Sequence, residues 1–171
     1  CSDYHGGLLT SALVDKIRLL AGDKLLTADA QGELDKYRGF DVVKCNADEA
    51  QTTLGMTLSG HDEFAHAAQT LQKRLELRGG MIITRGGDGM TIAQANGEIH
   101  HIPAPHVTDV YDTVGAGDTT IAMLTGALCA GASYIEAGKL ANIASGLVVR
   151  RVGNYAPPPS EIIAELDVNE G

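Results

Sequence analysis

The chain has 171 residues, 44% of them hydrophobic and 20% charged, a size and balance that fit one globular domain with its own core. Lysine and arginine number 13 against 22 aspartates and glutamates, and the resulting charge of −9 argues against nucleic-acid and anionic-membrane partners. The three cysteines, Cys1, Cys45 and Cys129, make no CxxC pair and, being odd in number, no disulfide framework. They are expected to be free thiols in a reducing, cytoplasmic setting, with Cys129 in the core.

Apolar residues at 13, 14, 17, 19 and 20 predict a helix from Thr10 to Leu20, capped by Thr10 or Ser11 and broken at Gly22-Asp23. Lys24–Ala28 and Asp41–Cys45 read as strands. Asn46 then opens a helix to about Leu54 that Gly55 ends. A longer helix is expected over His61–Leu77, with Phe64, Ala67, Ala68, Leu71 and Leu75 on one face and Gly79-Gly80 ending it.

Met81–Thr84 reads as a strand and Gly86-Gly87-Asp88-Gly89 as a turn. Met90–Ala95 and Glu98–Ile102 form a hairpin around Asn96-Gly97. Beyond the loop at Pro103 and Pro105, helices are expected from Gly115 to about Ala130 and from Ser133 to about Val149. Pro157-Pro158-Pro159 reads as a rigid spacer, with Ser160 capping a short last helix. Strands alternating with helices predict an α/β fold with a mostly parallel sheet plus an antiparallel hairpin.

The longest apolar stretch, residues 121–132, is too short to span a bilayer, and no leader pattern is visible. The chain begins at Cys1 directly in motif-like sequence and is expected to be a portion of something longer.

The strongest chemical motif is Asp112-Thr113-Val114-Gly115-Ala116-Gly117-Asp118-Thr119. Gly115, Ala116 and Gly117 present backbone N–H groups where a helix begins, an anion site built from unpaired amides and the helix dipole. Asp118 in the first turn can accept the proton of a hydroxyl that attacks a phosphoryl group held there. The plainer alternative is an acid that complements the dipole. Against it stands the composition of Thr119–Ala130, apolar nearly all round with small residues at Ala122, Gly126 and Ala130, which predicts a buried helix.

Two further motifs follow strands. In Asn46-Ala47-Asp48-Glu49, Asn46 and Glu49 make a capping box or face phosphates and a hydrated Mg²⁺ at the sheet's carboxyl end. Thr84-Arg85-Gly86-Gly87-Asp88-Gly89 is a tight turn or a backbone surface against a nucleotide. The six histidines, at 5, 61, 66, 100, 101 and 106, show no zinc-site spacing and are expected at the surface. No Walker A, G-x-G-x-x-G or G-x-S-x-G sequence is present, against P-loop enzymes, dinucleotide oxidoreductases and serine hydrolases.

Together the three motifs resemble the PfkB carbohydrate kinase family: its second signature at Asp112–Asp118, its N-x-x-E at Asn46 and Glu49, and its Ser/Thr-x-Gly-x-x-Gly turn at Thr84, Gly86 and Gly89. Ser2-Asp3-Tyr4, Arg38-Gly39, Ile83-Thr84-Arg85, Gly89-Met90 and residues 148–153 are similar to the heptose 7-phosphate kinase branch. The resemblance implies a ribokinase-like three-layer sandwich, with residues 1–171 forming its C-terminal nucleotide-binding and catalytic portion and the N-terminal half absent.

The same resemblance implies ATP-dependent phosphoryl transfer to a sugar or sugar phosphate. Asp118 would be the base, with Gly115, Ala116 and Gly117 as the anion hole. Asn46 and Glu49 would serve phosphate and Mg²⁺, Glu49 through water, while Thr84, Gly86 and Gly89 flank the nucleotide and Asn142 lies near adenine. Asp112 would ligate a monovalent cation such as K⁺. The branch's lysines are missing from Tyr4-His5-Gly6-Gly7 and from Asp29-Ala30-Gln31-Gly32. The absent lysines and the missing half leave a non-catalytic nucleotide-binding or assembly domain as one alternative; a vitamin or nucleoside kinase is another, because acceptor specificity lies largely outside this chain. Pairing with the missing half or homo-oligomer formation is expected, because a truncated sheet exposes an edge.

Overall fold

The structure, a computed structural model, describes residues 1–105 and 110–170; His106 lies outside the described residues. The chain divides into two compact units: Cys1–Arg85 with Thr91–His101, and Gly86–Met90 with Ile102–Gly171.

The first unit is built on a six-stranded sheet in the order β1 (Ser2–Asp3), β2 (Thr27–Ala30), β3 (Val42–Asn46), β4 (Gly80–Thr84), β5 (Met90–Gln94) and β6 (Ile99–Ile102). Only Met90 and Ile102, at the ends of two strands, are counted with the second unit. β1 to β4 pair in parallel, with Ser2 opposite Asp29, Thr27 opposite Val42 and Val42 opposite Gly80. β5 and β6 form the expected hairpin: Gln94 N–H donates to Glu98 O (2.8 Å), and Gly97 turns at φ 93°.

Successive strand residues face opposite sides. Ala28, Ala30, Val43, Cys45, Met81 and Ile83 join one apolar core with residues of α1 (Ser11–Ala21), α2 (Ala47–Leu54) and α3 (His61–Arg74). The alternate residues Thr27, Asp29, Val42, Lys44 and Ile82 are buried as well. A sheet buried on both faces explains why β4 reads as a continuous apolar run over Met81-Ile82-Ile83.

The second unit consists of α4 (Ala116–Cys129), α5 (Tyr134–Val149) and α6 (Pro159–Glu170). α5 begins with a capping box in which Ser133 Oγ accepts from Glu136 N–H and Glu136 Oε2 accepts from Ser133 N–H. Ile143, Ala144, Leu147 and Ile162 make a small core with Met123, Leu140 and Leu166 against it. No helix among the described residues is long and apolar enough to cross a membrane.

Several boundaries differ from the sequence expectation. The second strand starts at Thr27 rather than Lys24, because Asp41 fixes the preceding residue: Leu26 N–H donates to Asp41 Oδ2 (2.7 Å) and Asp41 N–H to Leu26 O (2.9 Å). α3 stops at Arg74, not Leu77. Glu76 takes φ 51° there, its N–H donating to Lys73 O while Leu77 N–H reaches Gln72 O, so a Schellman turn built on glutamate ends the helix before Gly79. α6 begins at Pro159 and runs twelve residues, with Ser160 inside it rather than capping it.

The largest correction concerns α4. Thr120, Ile121 and Leu124 are buried, but Ala122, Gly126, Cys129 and Ala130 are exposed, so Cys129 is a surface thiol and the small-residue stripe is bare. An apolar composition all round a helix predicts cover on every side; here only one side has it among the described residues. His100 and His101 are half-buried instead of at the surface.

Candidate functional site

In the first unit, the carboxyl ends of β3 and β4 lie side by side, with Asn46 in register with Thr84. Asn46 caps α2: its Oδ1 accepts from Glu49 N–H (2.9 Å), and Glu49 Oε2 accepts from Asn46 N–H (2.6 Å). The capping reading of this motif is therefore realised in full. It also fixes both side chains at the sheet's end, with Asn46 exposed and Glu49 half-buried. Burial pushes the Glu49 carboxyl up from its ordinary range, against the backbone N–H of Asn46 and the Lys44 ammonium, which pull it down. A carboxylate that is short of solvation gains from a nearby cation.

Thr84 Oγ1 leans on Cys45 O at 3.4 Å. The Arg85 guanidinium lies 4.7 Å over the Phe64 ring, and Nη1 donates to Thr91 Oγ1 (3.4 Å).

Two buried ion pairs of the first unit lie outside the three motifs. Lys44 Nζ donates to Asp29 Oδ2 at 2.7 Å. Lys36 Nζ donates to Asp3 Oδ2 (2.7 Å) and Leu9 O (3.0 Å), and Tyr37 OH reaches the same Asp3 oxygen. Burial works against the Asp3 charge, but the hydrogen bonds from Lys36, Tyr37 and His5 N–H hold its carboxyl below the ordinary range. The signal for Lys44 was available: a lysine inside the apolar run Val42-Val43-Lys44-Cys45 must bury its head against a partner.

In the second unit, α4 starts from Gly115 in the left-handed conformation at φ 81°, with no side chain capping it. Ala116 N–H turns back to Thr113 O at 3.3 Å, and Thr119 N–H begins the helical ladder on Gly115 O. Asp118 occupies the first turn and is half-buried. Dipole and amides at this end favour an anion.

Asp112 holds the approach: Oδ1 accepts from Val114 N–H and Oδ2 from Gly153 N–H, each at 3.0 Å. Those two N–H groups keep its carboxyl below the ordinary range. Asn142, buried on α5, donates its amide to Ile102 O (3.1 Å) and Pro103 O (3.0 Å). Gly89 packs against the same segment; a Cβ there would collide with Ile102 O and lie 2.5 Å from Ala104 N. Gly86 is exposed at φ 58°, opening a single 3-10 turn over Gly86–Asp88.

No group of three or more His, Cys, Asp or Glu able to hold a metal occurs among the described residues.

The description "pfkB family carbohydrate kinase" matches residues 20–161. The bifunctional protein HldE of Geotalea uraniireducens (strain Rf4) is 36% identical over 169 residues, covering 96% of this chain and 34% of that protein. HldE of Halorhodospira halophila (strain DSM 244 / SL1) is 37% identical over 167 residues, again 96% and 34%. Among solved structures, Arabidopsis thaliana ribokinase complexed with ribose and ATP superposes with a TM-score of 0.81 at 20% identity, covering 92% of this chain and 53% of that one. Escherichia coli phosphofructokinase-2 in complex with substrates and products gives 0.83 at 19%, covering 96% and 54%. The chain thus spans about a third of the length of these curated relatives and about half of these structures.

Proposed function

The chain belongs to the pfkB family of carbohydrate kinases, and from that premise we propose that residues 1–171 are the nucleotide-binding and catalytic portion of an ATP-dependent kinase for a hydroxyl of a sugar or sugar phosphate. The similarity to HldE proteins along nearly the whole chain favours a heptose phosphate as acceptor. The observation that carries the reading is the start of α4, where a helix N-terminus on a left-handed glycine is followed in its first turn by Asp118.

In the proposed reaction the acceptor oxygen attacks the γ-phosphorus and the bond to the β,γ-bridging oxygen breaks. ADP leaves, and the acceptor proton passes to the Asp118 carboxylate. The first amides of α4, at Gly115, Ala116 and Gly117, oppose the charge that develops, with Ala116 the weaker contributor because its N–H already leans on Thr113 O. Asn46 and Glu49 serve the phosphates and their Mg²⁺, which neutralises phosphate charge when bound. Thr84, Gly86 and Gly89 form the turn beside the nucleotide. We assign Asn142 an indirect part: it holds residues 102–103 in place for the nucleotide rather than offering its N–H groups to adenine. Asp112 shapes the loop for a monovalent cation, K⁺ in the simplest case. The setting is the cytoplasm, where the exposed thiols of Cys1 and Cys129 stay reduced.

Calorimetric titration of this chain with Mg-ADP tests the nucleotide part. Binding is expected, weakened at least about tenfold in Asn46→Ala; wild-type protein that binds neither Mg-ADP nor Mg-ATP would remove the claim for this chain. In a chain of the relatives' full length, Asp118→Asn is expected to lower transfer about 100-fold or more while ADP affinity is kept. A non-catalytic nucleotide-binding domain would be indifferent to that change.

A further inference from the structure

Phe64, Arg85, Thr91, His61 and His101 form a connected cluster in the first unit that no step above uses. The His61 and His101 rings meet edge to face at a centroid distance of 4.4 Å. His101 Nδ1 lies 2.9 Å from Thr91 Oγ1, and the same oxygen accepts from Arg85 Nη1. Thr91 is fully buried, and the Arg85 Nε–H is buried without a hydrogen-bond partner. Arg85 is thus held by a ring face and one long hydrogen bond, a weak grip for a guanidinium beside two imidazoles.

We propose that His101, packed edge to face on His61, is a proton-operated latch on the Thr84–Arg85 turn. With the His101 ring neutral, Thr91 can donate to His101 Nδ1 while accepting from Arg85, and the guanidinium rests on Phe64. A proton on His101 puts a second cation beside Arg85 and reverses the Thr91 hydrogen bond. The turn that carries Thr84 then loosens.

The surroundings oppose that proton. Burial, then His61 and then Arg85, lower the affinity of His101 for it; Asp62, at the start of α3, works the other way, and His100 on the same strand adds to the repulsion. His100 in turn has Glu98 at 3.7 Å. Because the folded state binds the His101 proton less well than the unfolded chain, the stabilisation is present above the ordinary histidine range. It is lost as pH falls through about 6.5 and below.

The consequence for nucleotide rests on the reading of Thr84 given above; the latch itself does not. The test uses the whole chain, wild type beside His101→Gln and the surface change His61→Gln. Thermal unfolding is followed from pH 7.5 to 5.5, with imidazole titration by NMR and Mg-ADP affinity at both ends.

Wild type is expected to lose about 3 °C more than His101→Gln over this window, with His61→Gln between the two because burial and Arg85 still act on His101 there, and His101 is expected to titrate below ~6.5. The wild-type ADP affinity is expected to fall about threefold or more relative to His101→Gln. Equal pH slopes in all three proteins, or a His101 that titrates at or above ~6.5, would overturn the latch. Melting slopes that differ while no ADP binds at either pH would support the latch and count against the nucleotide reading alone.

Discussion

At Gly89 a side chain would have to share space with backbone, since Ile102 O, Ala104 N and Pro103 C all lie within 2.7 Å of where a Cβ would stand. Gly97 shares the positive φ, 93° against 87°, but a Cβ there meets nothing within 4 Å. Alanine at the two positions therefore separates backbone strain from close approach. Gly97→Ala is expected to cost about 1 kcal/mol from its φ alone. Gly89→Ala adds overpacking against atoms that cannot move aside, about 1–3 kcal/mol more. Urea unfolding of both variants checks the order, and equal losses would mean that the segment at 102–104 yields easily. Glu76 is the reverse case, a residue with a Cβ where the Schellman turn asks for glycine. Its carboxylate pairs with Arg38 at the surface, a contact of little value in water. Glu76→Gly is expected to raise the melting temperature by about 2 °C; a lower value would show that the ion pair outweighs the strain.

Among the elements, legibility followed the strength of local punctuation. α2 was readable to the residue because Asn46, Glu49 and Gly55 each make the bond their position calls for, as Ser133 and Glu136 do for α5. The hairpin was readable from Asn96-Gly97. β2 was displaced because Leu25 and Leu26 look like strand, while the ladder begins only where Asp41 releases the backbone. β1 was missed: two residues carry no period, and only the register with Asp29 and Ala30 defines them. α4 misled because composition reports what a helix could bury, not what covers it. The motifs place Asn46, Glu49 and Thr84 at strand ends and Asp118 in the first turn of α4, as the structure has them, but they do not show that Asn142 spends its amide on carbonyls, a contact forty residues away in sequence. Since Asn46 is also a cap, Asn46→Ser separates its two duties. Serine caps nearly as well, so stability is expected to stay within about 0.5 kcal/mol while Mg-ADP binding weakens; binding that survives in serine but not alanine would make the residue a cap alone.

For the molecule as a whole, the charged pairs inside the first unit set its tolerance to substitution. Lys44→Met leaves Asp29 buried without its partner and is expected to cost about 3–5 kcal/mol, whereas Lys44→Met with Asp29→Leu is expected to recover most of that loss. Chemical denaturation of the single and double variants decides it; an undiminished loss in the double variant would mean that the pair gives net stability. Leu19 and Leu20 stand 81% and 84% exposed on α1, so concentration-dependent self-association is expected. Light scattering that shows a monodisperse monomer at high concentration would count against it.

The strand order also carries a timetable. The β5–β6 hairpin closes over a short turn and can form within about 1–10 μs. The parallel pairs β1–β2 and β3–β4 must first bring together segments separated by one and by two α-helices, and such long closures are slow. Refolding should thus begin at the hairpin and finish at β1, whose two residues touch the sheet on one side only. In hydrogen exchange the amides of β1 should be the last to gain protection and the first to lose it, well before the amides of β3 and β4.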